Sequence, residues 1–226
     1  MKKLVVLTGA GISAESGIRT FRDMGGLWEE YDVMEVASIE GWYKNPELVL
    51  NFYNARRKQL EFCEPNYGHI GLKDLEKNFA VHIITQNVDN LHEKAGSKNI
   101  LHLHGELTKV ESTKHPQLVT DIGYKEINIG DKCEKGFQLR PHIVWFGEAV
   151  PALPEAVKIV KTADIFVVIG TSLNVYPAAG LIDYVPNGTP IYLIDPHDIQ
   201  TYRKVTFIKE IASSGMRKLN ILLMSK

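Results

Sequence analysis

The sequence predicts an α/β fold, with a mostly parallel sheet covered by helices on both faces and a small inserted lobe. Three observations predict it. The runs at 3–8 (KLVVLT), 81–85 (VHIIT), 165–169 (IFVVI) and 191–194 (IYLI) are short and largely apolar, as strands buried on both faces are. Helix-like segments lie between them, the alternation that builds a parallel sheet. The stretch 108–140 is polar, carries Lys, Glu, Asp and Gly, and has no strong period. A structureless loop of that length is uncommon in a compact domain, so it reads as a lobe with local structure of its own.

The elements follow in chain order. Residues 3–8 form a strand that Gly-Ala-Gly stops, and 12–17 begin a helix, giving a strand–loop–helix unit. Residues 46–62 form a helix, because Pro46 suits a first turn and Leu48, Phe52, Ala55 and Leu60 make a rough helical stripe. A second helix covers 69–77, and 205–224 read as a pair of closing helices broken near Gly215. The 226 residues suit a single domain. Its sheet part takes about 1–30, 78–106 and 142–226. The lobe takes about 31–77 as a helical module and 107–141 as the insertion.

Composition removes several classes of function. Hydrophobic residues make up 44% and charged residues 23%, which excludes a disordered chain. The 26 basic and 27 acidic residues leave a net charge of -1, against a sequence-blind nucleic-acid binder. Two cysteines, Cys63 and Cys133, rule out a disulfide framework and a four-cysteine zinc site. No run of about 18 apolar residues is present to span a membrane. The apolar start after Met1-Lys2-Lys3 is too short for a signal peptide, so the cytoplasm is the expected compartment.

Gly9-Ala10-Gly11-Ile12-Ser13-Ala14 follows a strand and fits G-x-G-x-x-G/A. Glycines there let a backbone approach a pyrophosphate. A hydride-transferring dehydrogenase would add an acidic residue at the end of a second strand, but no strand precedes Asp32 or Glu35. Gln86, Asn87 and Asp89 follow the strand at 81–85, where α/β sheets bind ligands; amides and a carboxylate suit hydroxyls and a carboxamide. The plainer alternative is a helix cap. His104, beside a glycine after an apolar run, is a candidate base, and His102 reads as structural.

GAGIS at 9–13, GIRTFRD at 17–23, TQNVDNLH at 85–92, LHGE at 103–106, VWFGE at 144–148 and GTSLNVYP at 170–177 resemble, in order, the motifs of the sirtuins. These are NAD-dependent protein lysine deacylases. The resemblance is to the bacterial class III branch, which removes succinyl as well as acetyl groups.

The resemblance implies a Rossmann-like sheet and a small lobe with NAD, consumed as co-substrate, in the cleft between them. Gly9, Ala10 and Gly11 then pack on the phosphates, and Phe21 and Arg22 lie in the loop that covers NAD. Gln86 and Asn87 meet the nicotinamide ribose, and Asp89 meets the carboxamide. Gly170, Thr171 and Ser172 continue the phosphate and ribose site. Asp195 takes adenosine ribose hydroxyls and disfavours a 2′-phosphate. Catalysis falls to His104 and Asn87. In the family's chemistry nicotinamide leaves, the acyl oxygen attacks the ribose, and the base takes a ribose hydroxyl proton. The products are nicotinamide, free lysine and O-acyl-ADP-ribose. Val144, Phe146, Gly147 and Glu148 lie in the segment that pairs with an acyl-lysine peptide as an added strand.

Tyr53 and Arg56 are three apart on the expected helix and share a face. Their Tyr-x-x-Arg spacing resembles members that remove succinyl and malonyl groups, since guanidinium and phenol together grip a carboxylate. The alternative places Arg56 in a solvated run, Arg56-Arg57-Lys58. Met24 stands where those members often carry alanine, and it narrows the pocket toward acetyl unless it swings aside.

Most sirtuins hold zinc with two Cys-x-x-Cys pairs. Here only His115 and Cys133 stand near those places, so no metal is expected, and the lobe must pack through Leu118, Ile122, Tyr124, Ile127 and Ile129. Two alternatives use the same cleft, an ADP-ribosyl transferase and a non-catalytic NAD-binding sensor. The sequence sets no oligomeric state.

Overall fold

The structure is a computed structural model, and it describes residues 1–18 and 31–225. Six parallel strands form the main sheet: β1 (Lys3–Thr8), β2 (Ala80–Thr85), β3 (Ile100–His102), β7 (Ile165–Ile169), β8 (Ile191–Ile194) and β9 (Thr206–Ile208), in the order β3-β2-β1-β7-β8-β9. A second, antiparallel sheet joins β4 (Gly105–Ser112), β5 (Val119–Asp121) and β6 (Leu139–Ile143) in the order β5-β4-β6.

The strand side chains alternate between two cores, which explains why the strands read as continuous apolar runs. Leu4, Val6, Val167, Ile169 and Ile194 face one core. That face is covered by α4 (Tyr67–Leu75) and α7 (Ala212–Met224). Val5, Leu7, Phe166, Val168 and Leu193 face the other, beneath α6 (Leu153–Val160) and a 3-10 segment (Ala178–Tyr184).

A third core belongs to the lobe. It packs α1 (Val33–Val36), α2 (Ile39–Lys44) and α3 (Pro46–Glu61) against β4 and β6 through Val36, Trp42, Phe52, Leu107, Val110 and Trp145. Asn45 caps α3 by accepting from Leu48 N, with Pro46 in the first turn as expected. No helix among the described residues is long and apolar enough to cross a membrane.

Three expectations are corrected. Residues 10–16 form two short 3-10 turns, Ala10–Ile12 and Ala14–Ser16, rather than a continuous helix. Residues 205–224 hold β9 and one helix, α7, which runs through Gly215 unbroken. A Cβ at Gly215 would lie 2.2 Å from Ile194 Cγ2, so this glycine lets the helix press onto β8 and does not end it. In the lobe Ile127 is buried and Ile122 and Tyr124 pack beside it, whereas Ile129 is 56% exposed and sits outside the core.

Candidate active site

The sheet order reverses at β1, which has β2 on one side and β7 on the other. Ligands of open α/β sheets bind beyond the carboxyl ends of strands at such a point. Register levels those ends: Thr8 pairs with Thr85 and Ile169, and Thr85 with His102. The residues that follow are Gly9, Gln86, Leu103 and Gly170, so four segments of the sequence meet at one edge.

Gly9 N donates to Ile169 O at 3.0 Å and Gly11 N to Gly170 O at 2.9 Å. A Cβ at Gly9 or Gly11 would lie 2.7 Å from the Gly170–Thr171 backbone or side chain, so only glycine permits this crossing. Ala10 starts the first 3-10 turn between them. Gly170 has φ +63 and Leu173 φ 55, the latter rare for a branched side chain. Thr171 Oγ1 accepts from Leu173 N and from Gln86 Nε2, which ties β7's loop, with Ser172, to β2's loop. Asp195 follows β8, and its Oδ1 accepts from His197 N at 2.9 Å. Phe21, Arg22 and Met24 lie outside the described residues.

Beneath this edge runs a buried polar chain that sequence reasoning missed. Ser13 Oγ donates to Asp89 Oδ2 at 2.9 Å and accepts from Asn87 Nδ2 at 3.1 Å. His69 Nε2 reaches the same hydroxyl at 3.4 Å, and His92 Nε2 lies 3.1 Å from Thr8 Oγ1. The two rings are edge to face at 4.9 Å. Burial lowers His69 to about 4 and drives His92 well below the ordinary value, so both are neutral. Burial also raises the Asp89 carboxyl, against the pull of Leu91 N and Ser13. The signals available in the sequence were Ser13 inside the glycine motif and His92 at the end of TQNVDNLH.

His104 Nδ1 meets Gln86 O at 3.0 Å. A carbonyl only accepts, so Nδ1 carries the hydrogen and Nε2 keeps its lone pair. Burial lowers its pKa, and the Gln86 carbonyl opposes that shift. The ring is therefore neutral and oriented, the state that a proton acceptor requires.

Tyr53 and Arg56 lie on α3, with Tyr53 packed into the lobe's core. Trp145 Nε1 donates to Tyr53 Oη at 2.9 Å, and burial pushes the phenol up to about 12. Arg56 packs over Phe52, 5.5 Å from the ring centre, and its buried Nε has no partner among the described residues. Burial lowers its pKa, while Tyr53 and Asp89 hold it up. The solvated-run alternative fails at Arg57, which is fully buried. Arg57 donates to Leu107 O at 2.8 Å and Asn54 Oδ1 at 2.7 Å.

The segment after β6 is fixed on both flanks. Val144 N donates to His104 O, and Phe146 N to Ala37 O. Arg140 stacks on Trp145 at 3.6 Å and forks onto both Glu148 oxygens at 2.7 and 2.9 Å. Burial raises the Glu148 carboxyl, but Arg140 and Trp145 N outweigh it and hold it low. Glu148 thus spends its carboxylate on building the segment, and Gly147 (φ +88) turns the chain between it and Phe146. Phe146 remains 44% exposed.

Two places bear on metals. Near the lobe's turn, Ser112 Oγ accepts from Lys114 N and His115 N and from Cys133 Sγ at 3.3 Å. A hydroxyl with those donors, one thiol and one imidazole do not supply a tetrahedral zinc set. Elsewhere Glu93, His102 and Glu106 place ligand atoms within 4.8 Å of one another. Glu106 is paired with Lys109 at 2.6 Å and Glu93 with His102 at 2.9 Å, so the cluster balances its own charge.

The Sir2 family model matches residues 9–177. The chain belongs to the Sir2 family. A relative in Bacteroides thetaiotaomicron, named NAD-dependent protein deacylase, is 59% identical over 99% of this chain and 98% of its own length. A protein of the same name in Helicobacter pylori is 56% identical over 97% of this chain and 96% of its own. Among solved structures, a Sir2 homologue complexed with NAD matches at TM-score 0.90 and 39% identity, covering 99% of this chain and 90% of that one. A mutant Sir2 homologue complexed with ADP-ribose matches at TM-score 0.89 and 38% identity, covering 100% and 94%. The parallel sheet and its switch point are therefore the dinucleotide scaffold of a Sir2 protein.

Proposed function

We propose that this Sir2 protein removes acyl groups from protein lysine side chains with NAD as co-substrate, and that Tyr53 and Arg56 let it take succinyl and malonyl as well as acetyl. NAD fits the edge: Gly9, Gly11 and Gly170 bring the loops after β1 and β7 into backbone contact beyond the strand ends, where α/β sheets bind a dinucleotide. The uncommitted oxygen of the Asn87 amide and the Gln86 side chain suit ribose hydroxyls, and Asp89 suits the carboxamide. His104 Nε2 accepts the ribose hydroxyl proton. The neutral tautomer set by Gln86 O makes that nitrogen the acceptor. The acyl-lysine peptide is received along the segment 144–147 by main-chain pairing, which tolerates many sequences, through groups other than the Val144, Trp145 and Phe146 N–H donors already bonded within the chain.

One observation carries the acyl preference. Tyr53 Oη accepts from Trp145, so its own hydrogen must point elsewhere, and Arg56 Nε beside it is buried without an acceptor among the described residues. A guanidinium N–H buried without an acceptor among the described residues, with a phenol hydroxyl three residues before it on the same helix face, suits a carboxylate.

The test compares kcat/KM on acetyl-lysine and succinyl-lysine peptides. Arg56→Met should cost succinyl activity about 100-fold, the price of a lost charge-assisted pair of bonds, and leave acetyl activity within a few-fold. His104→Ala should cost both about 10²–10⁴-fold with the fold intact. Unchanged succinyl activity in Arg56→Met would sink the clamp.

A further inference from the structure

His102 and His104 leave β3 two residues apart, and they grip consecutive carbonyls of the loop after β2. His104 Nδ1 meets Gln86 O and His102 Nδ1 meets Asn87 O, each at 3.0 Å. The rings differ at the second nitrogen. His104 Nε2 has no protein partner among the described residues. His102 Nε2 lies 2.9 Å from Glu93 Oε1, on α5 (Leu91–Lys94).

A carbonyl and a carboxylate both only accept, so both His102 nitrogens must carry hydrogen. The surroundings suit that charge. Glu93 and Glu106 face the ring, Asp89 lies beyond the loop, and the neighbouring His92 is neutral. Burial works against the charge, and the Glu93 bond and charge, then Glu106, outweigh it and raise the pKa.

Asn87 is held at every group but one. Its N–H donates to Thr85 Oγ1 at 3.0 Å, and its Nδ2 donates to Gly9 O at 3.2 Å and Ser13 Oγ at 3.1 Å. Gly9 O fixes which end of the amide is nitrogen, because a carbonyl cannot donate. The amide oxygen is the group left over, with no protein partner among the described residues.

We propose that His102, an imidazolium bridging the Glu93 carboxylate and the Asn87 carbonyl, is a positioning residue that holds Asn87 so that its amide oxygen faces the nicotinamide ribose. The role rests on reading this edge as the NAD site. It divides the His-x-His pair: one ring acts on the co-substrate, and the other fixes the residue beside it.

The test uses substitutions that each keep one of the two bonds. Asparagine places its amide nitrogen near the position of Nδ1, and glutamine places its own near Nε2. His102→Gln keeps Glu93 and loses the Asn87 carbonyl, so it should raise the KM for NAD about ten-fold, as one lost hydrogen bond to a buried carbonyl does. The KM for acyl peptide should stay within about two-fold. His102→Asn should bring the KM for NAD back to within about three-fold of wild type. Imidazole ¹⁵N shifts should show both His102 nitrogens predominantly protonated at about pH 6.5, where a free histidine is half neutral. In Glu93→Gln, on an exposed helix face, Nε2 should lose its proton there while Nδ1 keeps it.

Equal effects of the two His102 substitutions on the KM for NAD, or none from either, would overturn the positioning role. So would an unprotonated Nε2 in the wild-type spectrum at that pH. Wild-type protein with no measurable NAD affinity would instead overturn the reading of the whole edge, and the role with it.

Discussion

At the carboxyl edge of the six-stranded sheet, backbone register does the assembling. Thr8, Thr85, His102 and Ile169 end at one level, and every segment beyond them inherits that alignment. In the lobe the register of β4 against β6 shifts between Gly105 and Val110, and single side chains take over. Asn54 receives Ile127 N and donates to Ile127 O, as a paired strand would. Gln138 holds Gly130 N, Asn128 O and Leu139 O around the turn. A cooperative sheet spreads its stability over many bonds, whereas each lobe bond has no substitute nearby. Damage should therefore be shared at the edge and local in the lobe, except where the edge rests on buried titratable groups.

That exception gives the largest expected effect. His69 is neutral in the folded chain, with burial lowering it to about 4. Unfolded, it takes a proton from about pH 6.5 downward. Its contribution to stability is complete above about pH 6.5 and is lost as pH falls toward the folded value, on the order of 3 kcal/mol in all. His92 is lowered by burial as well and acts in the same direction. His102 is raised, so it acts oppositely, stabilising at low pH and losing that contribution as pH rises through its folded value. Urea unfolding from about pH 7 to pH 4 should show the steep acid loss, and His69→Gln, which keeps a group near Ser13, should flatten it. Equal slopes would mean that the histidine pair is hydrated and that the edge has no such weak point.

The lobe supplies the next effect. Asn54→Ala leaves the Ile127 N–H and C=O and one Arg57 hydrogen without partners in a buried place. The cost should be about 2 kcal/mol, lowering Tm by about 4–8 °C for a chain of this size. A change under about 1 °C would show that apolar packing holds the lobe without these bonds, and the contrast with the sheet would collapse.

The same contrast governs what was legible beforehand. The strands at 3–8, 165–169 and 191–194 were plain because a strand buried on both faces has no polar positions to confuse its pattern. The closing helix was misread because a glycine needed for close approach to Ile194 looks, in sequence, like a glycine that stops a helix. That Gly9, Gln86, Asn87, Asp89 and His104 gather beyond one sheet edge was legible through the order of their motifs. Ser13, His69, His92 and Glu93 were not, since their roles depend on which chain segments cross under the sheet edge. Arg57 shows the limit most clearly. Its neighbours Arg56 and Lys58 differ from it only in the helix face each occupies, yet it is the one fully buried.

The smallest expected effect is none, and it sharpens the comparison most. If side chains have taken over the lobe's organisation, removing metal should change nothing. Ser112 Oγ already accepts from Lys114 N and His115 N, and it receives the Cys133 thiol as well. Cys133 N and Phe137 O close the facing turn at 2.8 Å, and His115 stacks edge to face on Phe137 at 5.4 Å. These contacts engage Ser112, Cys133 and His115 with one another and with Phe137, and among the described residues no group of three or more metal-ligating side chains gathers there. Dialysis against a strong chelator should leave Tm within about 1 °C and activity unchanged, since a structural zinc would be worth on the order of 10 kcal/mol of folding. Loss of either, restored by added zinc, would show that the lobe depends on metal bound through donors other than a cysteine set, and that its polar side chains supplement the ion and do not replace it.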